Sequence, residues 1–238
     1  MLTDDELMDI HVRALFTHDS ESRLLFVNEP GGTTIQAARM FLGRTRAGNL
    51  WRFRGDLPEN LCEELTALCA DEPVVEDFRE PPLHAETYVR LLERHAPVCE
   101  TESGPAYQFT DQFVENARQS GSVLIVTEKN AEVLRGGFED FVAELSDWQP
   151  FVALVEKNRA VSVCRSARIT HEAHEAGVET LPHLRGKGCA QKVTAEWARL
   201  VQAKGAMPLY STSWKNVASQ ALARKLNLRC YGADFHIA

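Results

Sequence analysis

The stretch "HLRGKGCAQKVT", residues 183–194, constrains the fold more than any other part of the chain. It stands between a strand-like run, "HEAGVETLP", and a run in which Val193, Trp197, Leu200 and Val201 share one helical face. A strand must therefore become a helix through a loop carrying two glycines and two bases. Gly186 and Gly188 let the backbone curl with no Cβ in the way. First-turn amides of a helix have no intrahelical partner and carry the positive end of its dipole. Arg185 and Lys187 add charge beside them. Such a nest suits a phosphate, and best a pyrophosphate.

Three phosphate-binding patterns compete for these residues. Walker A needs G-x-x-x-x-G-K-[ST], which "GKGCAQK" does not supply. The dinucleotide fingerprint needs a third glycine inside a parallel βαβ unit; Gln191 stands there, and the preceding strands read as antiparallel. A nicotinamide redox enzyme fails on that residue and on the missing acidic ribose position. What remains is R-x-x-G-x-A: Arg185, Gly188, Ala190. A surface loop with a solvated basic tip is the bland competitor.

The pattern around the loop predicts an α/β protein with a mixed sheet and helices on both faces. From about Ser120 the order reads strand ("GSVLIV"), an N-cap at Thr127 with a short helix, and a helix over "FEDFVAELSDW". A hairpin follows over 150–169, then the strand, loop and helix described above. "MPLYSTS" reads as a strand, "NVASQALARKL" as a helix and "RCYGADFHI" as a closing strand. Residues 1–118 read as a smaller N-terminal α/β domain, and 119–238 as the domain carrying the loop. In the first, "RLLFVNEP" predicts a strand, 38–53 a hairpin, and "DLPENLCEELTALCADEP" and "HAETYVRLLERHAP" two helices. Cys99 to Gly104 reads as a loop or linker.

Composition narrows the function. The 238 residues carry a net charge of −8, which argues against general nucleic-acid binding and is compatible with a small cationic partner such as an amine. No stretch approaches the roughly 18 apolar residues that span a bilayer. The acidic start, "MLTDDELMDIHVRAL", lacks the regions of a signal peptide, so a cytoplasmic protein is expected. The six cysteines show no CxxC or zinc-finger spacing and read as buried hydrophobes. "HEAHEAG" is no zinc motif: His171 and His174 are three apart at the mouth of a strand, so no metal is expected. Cys189 sits beside the presumed phosphates, where packing is favoured over nucleophilic use. Trp197 and Trp214 read as core and cleft wall.

The loop, its preceding strand, "LYSTSWKN" and "NVASQALARKLNL", in that order, resemble the GNAT superfamily of N-acyltransferases over about residues 120–238. The resemblance implies acetyl-CoA, or a related acyl-CoA, as co-substrate and an amine as acceptor. It places the pyrophosphate on the backbone amides of Arg185, Gly186, Lys187, Gly188, Cys189 and Ala190. It lays the pantetheine arm along Val178, Glu179 and Thr180, at a splay between the fourth and fifth strands of the family. Asn216 would approach the arm's end, and Ser219 follows it by three residues, as in the family.

Acyl transfer to an amine needs a base and an oxyanion donor, and the leaving thiolate benefits from an acid. A backbone N–H near Val178 would serve the oxyanion. Glu172, Glu175 and Glu179 are candidate bases; Glu175 and Glu179 share a strand face, and Glu179 is expected nearest the thioester. Each of the two could equally face solvent or draw a cationic substrate. The family often places an acidic Tyr in the last helix; Ala223 stands there. Tyr210, Ser219, Tyr231 or water are the substitutes, with Tyr210 the leading side chain. The missing Tyr keeps open a second class, a non-catalytic acyl-CoA-binding sensor. The N-terminal part resembles that of bacterial members; it would cover the acceptor side and set substrate choice, or stabilise the fold, or form a homodimer contact. The acceptor is left open among amino acids, antibiotics, polyamines and protein termini.

Overall fold

A computed structural model describes residues 2–110 and 123–238. The boundary at 118/119 and the start of the strand at Ser120 lie outside the described residues. One nine-stranded mixed sheet organises the molecule, in the order β4 (Asn49–Phe53), β3 (Met40–Thr45), β11 (Arg229–Ile237), β5 (Thr101–Gln108), β10 (Met207–Ser211), β9 (Ala173–Thr180), β8 (Arg159–Ile169), β7 (Phe151–Glu156), β6 (Val123–Ile125). The expected hairpins are β3 with β4, and β7 with β8. β6 lies outside β7, and β9 pairs antiparallel with β8. β10 pairs parallel with β9; β11 runs antiparallel to β3. A separate two-stranded ribbon joins β1 (Phe16–His18) to β2 (Leu24–Val27).

Three readings of the sequence need correction. Cys99–Gly104 is not a linker. Thr101–Gln108 forms β5, in the middle of the sheet between β10 and β11. Its first residues, Thr-Glu-Ser-Gly, carry no apolar alternation because β5 is exposed at that end and buried only from Gly104 to Tyr107. "FEDFVAELSDW" is a three-residue 3-10 turn, Glu139–Phe141, followed by turns. The Glu139 carboxylate accepts from the amides of Gly136 and Gly137, a local bond that competes with helix, while Phe138, Phe141 and Leu145 drop onto the sheet. The short helix behind Thr127 is also 3-10, Glu128–Leu134, with the Thr127 cap in place and Asn130 reciprocating.

A helix the composition obscured opens the chain. α1 (Asp4–Leu15) starts at a capping box in which the Thr3 hydroxyl accepts from the Glu6 amide and the Glu6 carboxylate accepts from the Thr3 amide. α1 and the 128–148 segment cover one face of the sheet. The other face carries α2 (Glu59–Asp71) and α3 (Ala85–Glu93) over β3 and β11, and α4 (Cys189–Ala203) with α5 (Val217–Lys225) over the centre. α1 lies very close to the sheet because Gly43 and Gly232 lie under Met8. A Cβ at Gly43 would stand 2.3 Å from Met8 Cγ; one at Gly232 would stand 2.7 Å from Met8 Cε and 2.4 Å from the Arg44 carbonyl oxygen. Ion pairs from Asp4 to Arg229 and from Arg13 to Glu172 hold both ends of the helix.

Two bulges set which side chains share a face. The register slips between Cys230 and Gly232, so Tyr231 and Asp234, three apart, both turn toward α1. It slips again between Ser166 and Arg168, so Arg165 and Arg168 both turn to one side. Gly232→Ala is expected to destabilise the protein by about 1–3 kcal/mol, the range for forcing atoms into a packed core. The loss would appear as a lower urea midpoint; an unchanged midpoint would contradict the close seating of α1.

Candidate functional site

The parallel ladder between β9 and β10 is short. It pairs Met207 with Ala173, Pro208 with His174 and Leu209 with Glu175, and ends there. Each strand continues along its other neighbour, β9 with β8 as far as Thr180 and β10 with β5 as far as Ser211. The two part like a fork, and among the described residues no strand pairs with this edge of β9 beyond Glu175.

A cleft of about 640 Å³ opens at the fork on the α4 side. Val178, Glu179 and Thr180 form its β9 wall, and Tyr210, Asn216 and Ser219 line the opposite wall. Arg185, Gly186, Gly188, Cys189 and Ala190 contribute from the loop; Lys187 and Glu175 are not among the lining residues. Gly186 and Gly188 sit at φ of 78° and 81°, the left-handed region where side chains are strained, and no atom within 4 Å occupies the space a Cβ would take. Gly188 is the N-cap of α4, so the free first-turn amides point out of the loop. The Arg185 amide is already committed to the Pro182 carbonyl, at 3.3 Å.

The remaining predicted residues have identifiable neighbours. Asn216 caps α5, its side-chain oxygen accepting from the Ser219 amide at 3.0 Å. The hydroxyls of Ser219 and Tyr210 are 2.6 Å apart. Burial pushes the Tyr210 phenol up to about 12, against the hydrogen bond from Ser219, so it keeps its proton at neutral pH. Cys189 packs in the core with Val193. Ala223 is fully buried and does not line the cleft. Tyr231 is buried under α1, away from it. Trp197 is buried and donates to Ser166 Oγ at 3.1 Å; Ser166 also meets His174 Nδ1 at 2.8 Å.

Glu175 and Glu179 share the α1 side of β9 but differ in setting. Glu179 is half-exposed and bonded to Arg165 at 3.2 Å, whose guanidinium stacks on Phe141 and Trp148. Glu175 is buried at the fork itself. Its Oε1 lies 2.7 Å from His11 Nδ1, and its Oε2 accepts from Ser211 Oγ at 3.3 Å. His11 Nε2 in turn meets Asp234 Oδ2 at 2.9 Å. Glu175 borders a second cavity of about 530 Å³, on the α1 side, together with Leu15, Arg165, Arg168 and Ser211. A third, of about 310 Å³, shares Leu15, Arg168 and Ser211 with it and adds Glu102, Asp234 and His236. Sequence reasoning missed His11, Ser211 and Asp234. A histidine among Leu7, Met8 and Val12 on a capped amphipathic helix was a readable signal; Asp234 was hidden by the bulge.

Comparison with known proteins sets this fork in a family. The family model described as GNAT acetyltransferase matches residues 106–232, from β5 to β11. The chain belongs to the GNAT acetyltransferase family. No curated protein matches the chain. Among solved structures, a GCN5-related N-acetyltransferase-like protein from Streptococcus suis is similar at 15% identity over 85% of each chain, with a TM-score of 0.49. A GNAT-family protein from Novosphingobium aromaticivorans is similar at 15% identity and a TM-score of 0.42; 59% of this chain is covered, and it spans 65% of that protein's length. At these scores family membership rests on the family match. No helix among the described residues is long and apolar enough to cross a membrane.

Two buried groups around the GNAT fork make the fold acid-sensitive. Burial holds the His174 imidazole down, to about 4 from 6.5, helped by Lys204. Burial alone would raise Asp234, but the hydrogen bond from His11 and the ion pair with His236 hold it well below the ordinary carboxylate range. A histidine lowered on folding contributes stability that is complete above its unfolded value of 6.5 and declines as pH falls toward 4; the Asp234 contribution is lost at still lower pH. Denaturant midpoints are expected to drop between pH 6.5 and 4, and His174→Gln to flatten that drop. A His174→Gln profile parallel to wild type would contradict the assignment.

Proposed function

We propose that the protein is an N-acetyltransferase that moves an acetyl group from acetyl-CoA to a primary amine by direct transfer in a ternary complex. One observation carries the reading: the loop of left-handed glycines at the α4 N-terminus and the unpaired edge of β9 border the same cleft, at the fork of the sheet. The amides of Gly186 to Ala190 would hold the pyrophosphate, with Arg185 and Lys187 supplying charge. Val178 to Thr180 would pair through the main chain with the pantetheine arm, like an added half-strand. Asn216 and Ser219 line the far wall along its path. These residues fit the co-substrate: a diphosphate needs converging N–H groups, and an amide-bearing arm needs a free strand edge.

Glu175 is favoured over Glu179 as the base. Four residues of strand separate them by roughly 13 Å. Glu179 stands at the end of β9 beside the phosphate loop and is bonded to Arg165, whereas Glu175 marks the fork. An arm running from the loop along β9 would bring its thioester toward Glu175. The acceptor would enter from the α1 side, through the cavities bordered by Leu15 and Arg168. As the amine nitrogen bonds to the acetyl carbon, its proton passes to Glu175. A backbone N–H near Val178 faces the developing oxyanion. When the carbon–sulfur bond breaks, the thiolate takes the Tyr210 proton, which returns from solvent. Tyr210, on the α4 side, and Glu175, on the α1 side, thus work from opposite faces of the sheet.

Thiol release from acetyl-CoA with a panel of amino acids, polyamines, aminoglycosides and a peptide N-terminus tests the activity. At least one amine is expected to turn over, and Glu175→Gln to lower kcat/KM by about 10²–10⁴-fold, the range for lost general-base catalysis. Coenzyme A binding with no thiol release on any amine would favour a non-catalytic sensor.

A further inference from the structure

The buried chain that runs Glu175, His11, Asp234 joins the proposed base to an element outside the family match, which begins at residue 106. His11 is fully buried on α1, with one ring nitrogen 2.7 Å from Glu175 Oε1 and the other 2.9 Å from Asp234 Oδ2. A neutral imidazole has one N–H and one lone pair. Set between two ionised carboxylates, it would turn that lone pair against an oxygen. Both contacts are attractive when both ring nitrogens carry protons.

The groups that face this chain are few. Toward His11 stand the Phe41 and Tyr231 rings, each with its centroid 6.2 Å away. Behind Asp234 stands His236, whose Nδ1 is 3.6 Å from Asp234 Oδ1 and whose Nε2 is 3.3 Å from Glu102. Toward Glu175 stand the Ser211 hydroxyl and, around the adjoining cavity, Arg165, Arg168 and Glu29. Of the cations, His11 alone is in hydrogen-bond contact with Glu175 among the described residues.

Resting on the reading of Glu175 as the base, we infer that His11 is a positioning residue that, as an imidazolium, grips Glu175 Oε1 and leaves Oε2 as the proton-accepting oxygen. The imidazolium sets a positive charge between the buried carboxylates of Glu175 and Asp234. It also fixes the carboxylate plane, so that Oε2 is the oxygen that faces Ser211. Burial opposes the imidazolium charge, but hydrogen bonds to Asp234 and Glu175 outweigh it and raise His11 to about 10. Asp234 and Glu102 likewise outweigh burial at the neighbouring His236 and raise it to about 9. The N-terminal helix thereby reaches the reacting centre through one hydrogen bond and touches no substrate there.

Histidine-labelled nitrogen NMR of the full chain reads the protonation state directly. In a His236→Gln chain at pH 8, a buried imidazole bearing both ring protons is expected, with a titration midpoint that falls when Glu175→Gln is added. The pH profile of kcat/KM, taken with acetyl-CoA and the amine that turns over fastest, reads the positioning. His11→Gln is expected to move the acidic limb up by about one pH unit or more and to lower kcat with little change in the KM for the amine. If His11→Gln does not fold, the NMR result on the His236→Gln chain decides. A neutral imidazole at pH 8, or a folded His11→Gln enzyme with the wild-type acidic limb, overturns the role of His11 alone. Full turnover in Glu175→Gln overturns the base, and the role of His11 with it.

Discussion

The parting of β9 from β10 is the constraint on which the rest of the site depends. A sheet gives up ladder hydrogen bonds only where the freed groups find other partners. Here each strand stays anchored on its far side, β9 to β8 and β10 to β5, so the fork stays open without loosening the sheet. The slit exposes backbone donors and acceptors along Ala176–Thr180 and ends at Glu175. The glycine loop follows immediately on the same strand, and α5 closes the far wall. A polar, extended ligand with an anionic end matches all three surfaces at once.

The strand where the family match begins and the helix that precedes it help to hold the fork. β5 fills the place between β10 and β11, and without it β10 would have no partner along Tyr210 and Ser211. α1 packs on the glycines of β3 and β11 at a distance no other residue permits, and this close seat delivers His11 to Glu175 and Asp234. Leu15, next along α1, borders both cavities on that side. The N-terminal part is thus built into the sheet and into the surroundings of the proposed base.

Much of this was legible before any coordinates. Strong periodicity identified the two hairpins and the helices α2 to α5, and the glycine loop pointed to the cleft that Val178, Tyr210, Asn216 and Ser219 line. The illegible parts share physical causes. β5 begins with Thr-Glu-Ser-Gly, which carries no strand pattern because its neighbours supply the order. The apolar run Phe138, Phe141, Leu145, Trp148 has a helix-like spacing, yet local carboxylate bonds and ring packing against Arg165 hold it in turns. Asp234 and Arg168 could not be assigned to a face, because a single extra residue at each bulge breaks the two-residue period. Sequence position ranked Glu179 nearest the thioester and Glu175 next, but could not show that Glu175 is buried while Glu179 is half-exposed on Arg165.

Backbone hydrogen exchange with and without coenzyme A reads the fork and the glycine loop together. The ligand should slow exchange in two places, the β9 edge over residues 176–180 and the first amides of α4 over 186–191. Coenzyme A that binds with measurable heat yet leaves both segments exchanging at their free rates would contradict the account.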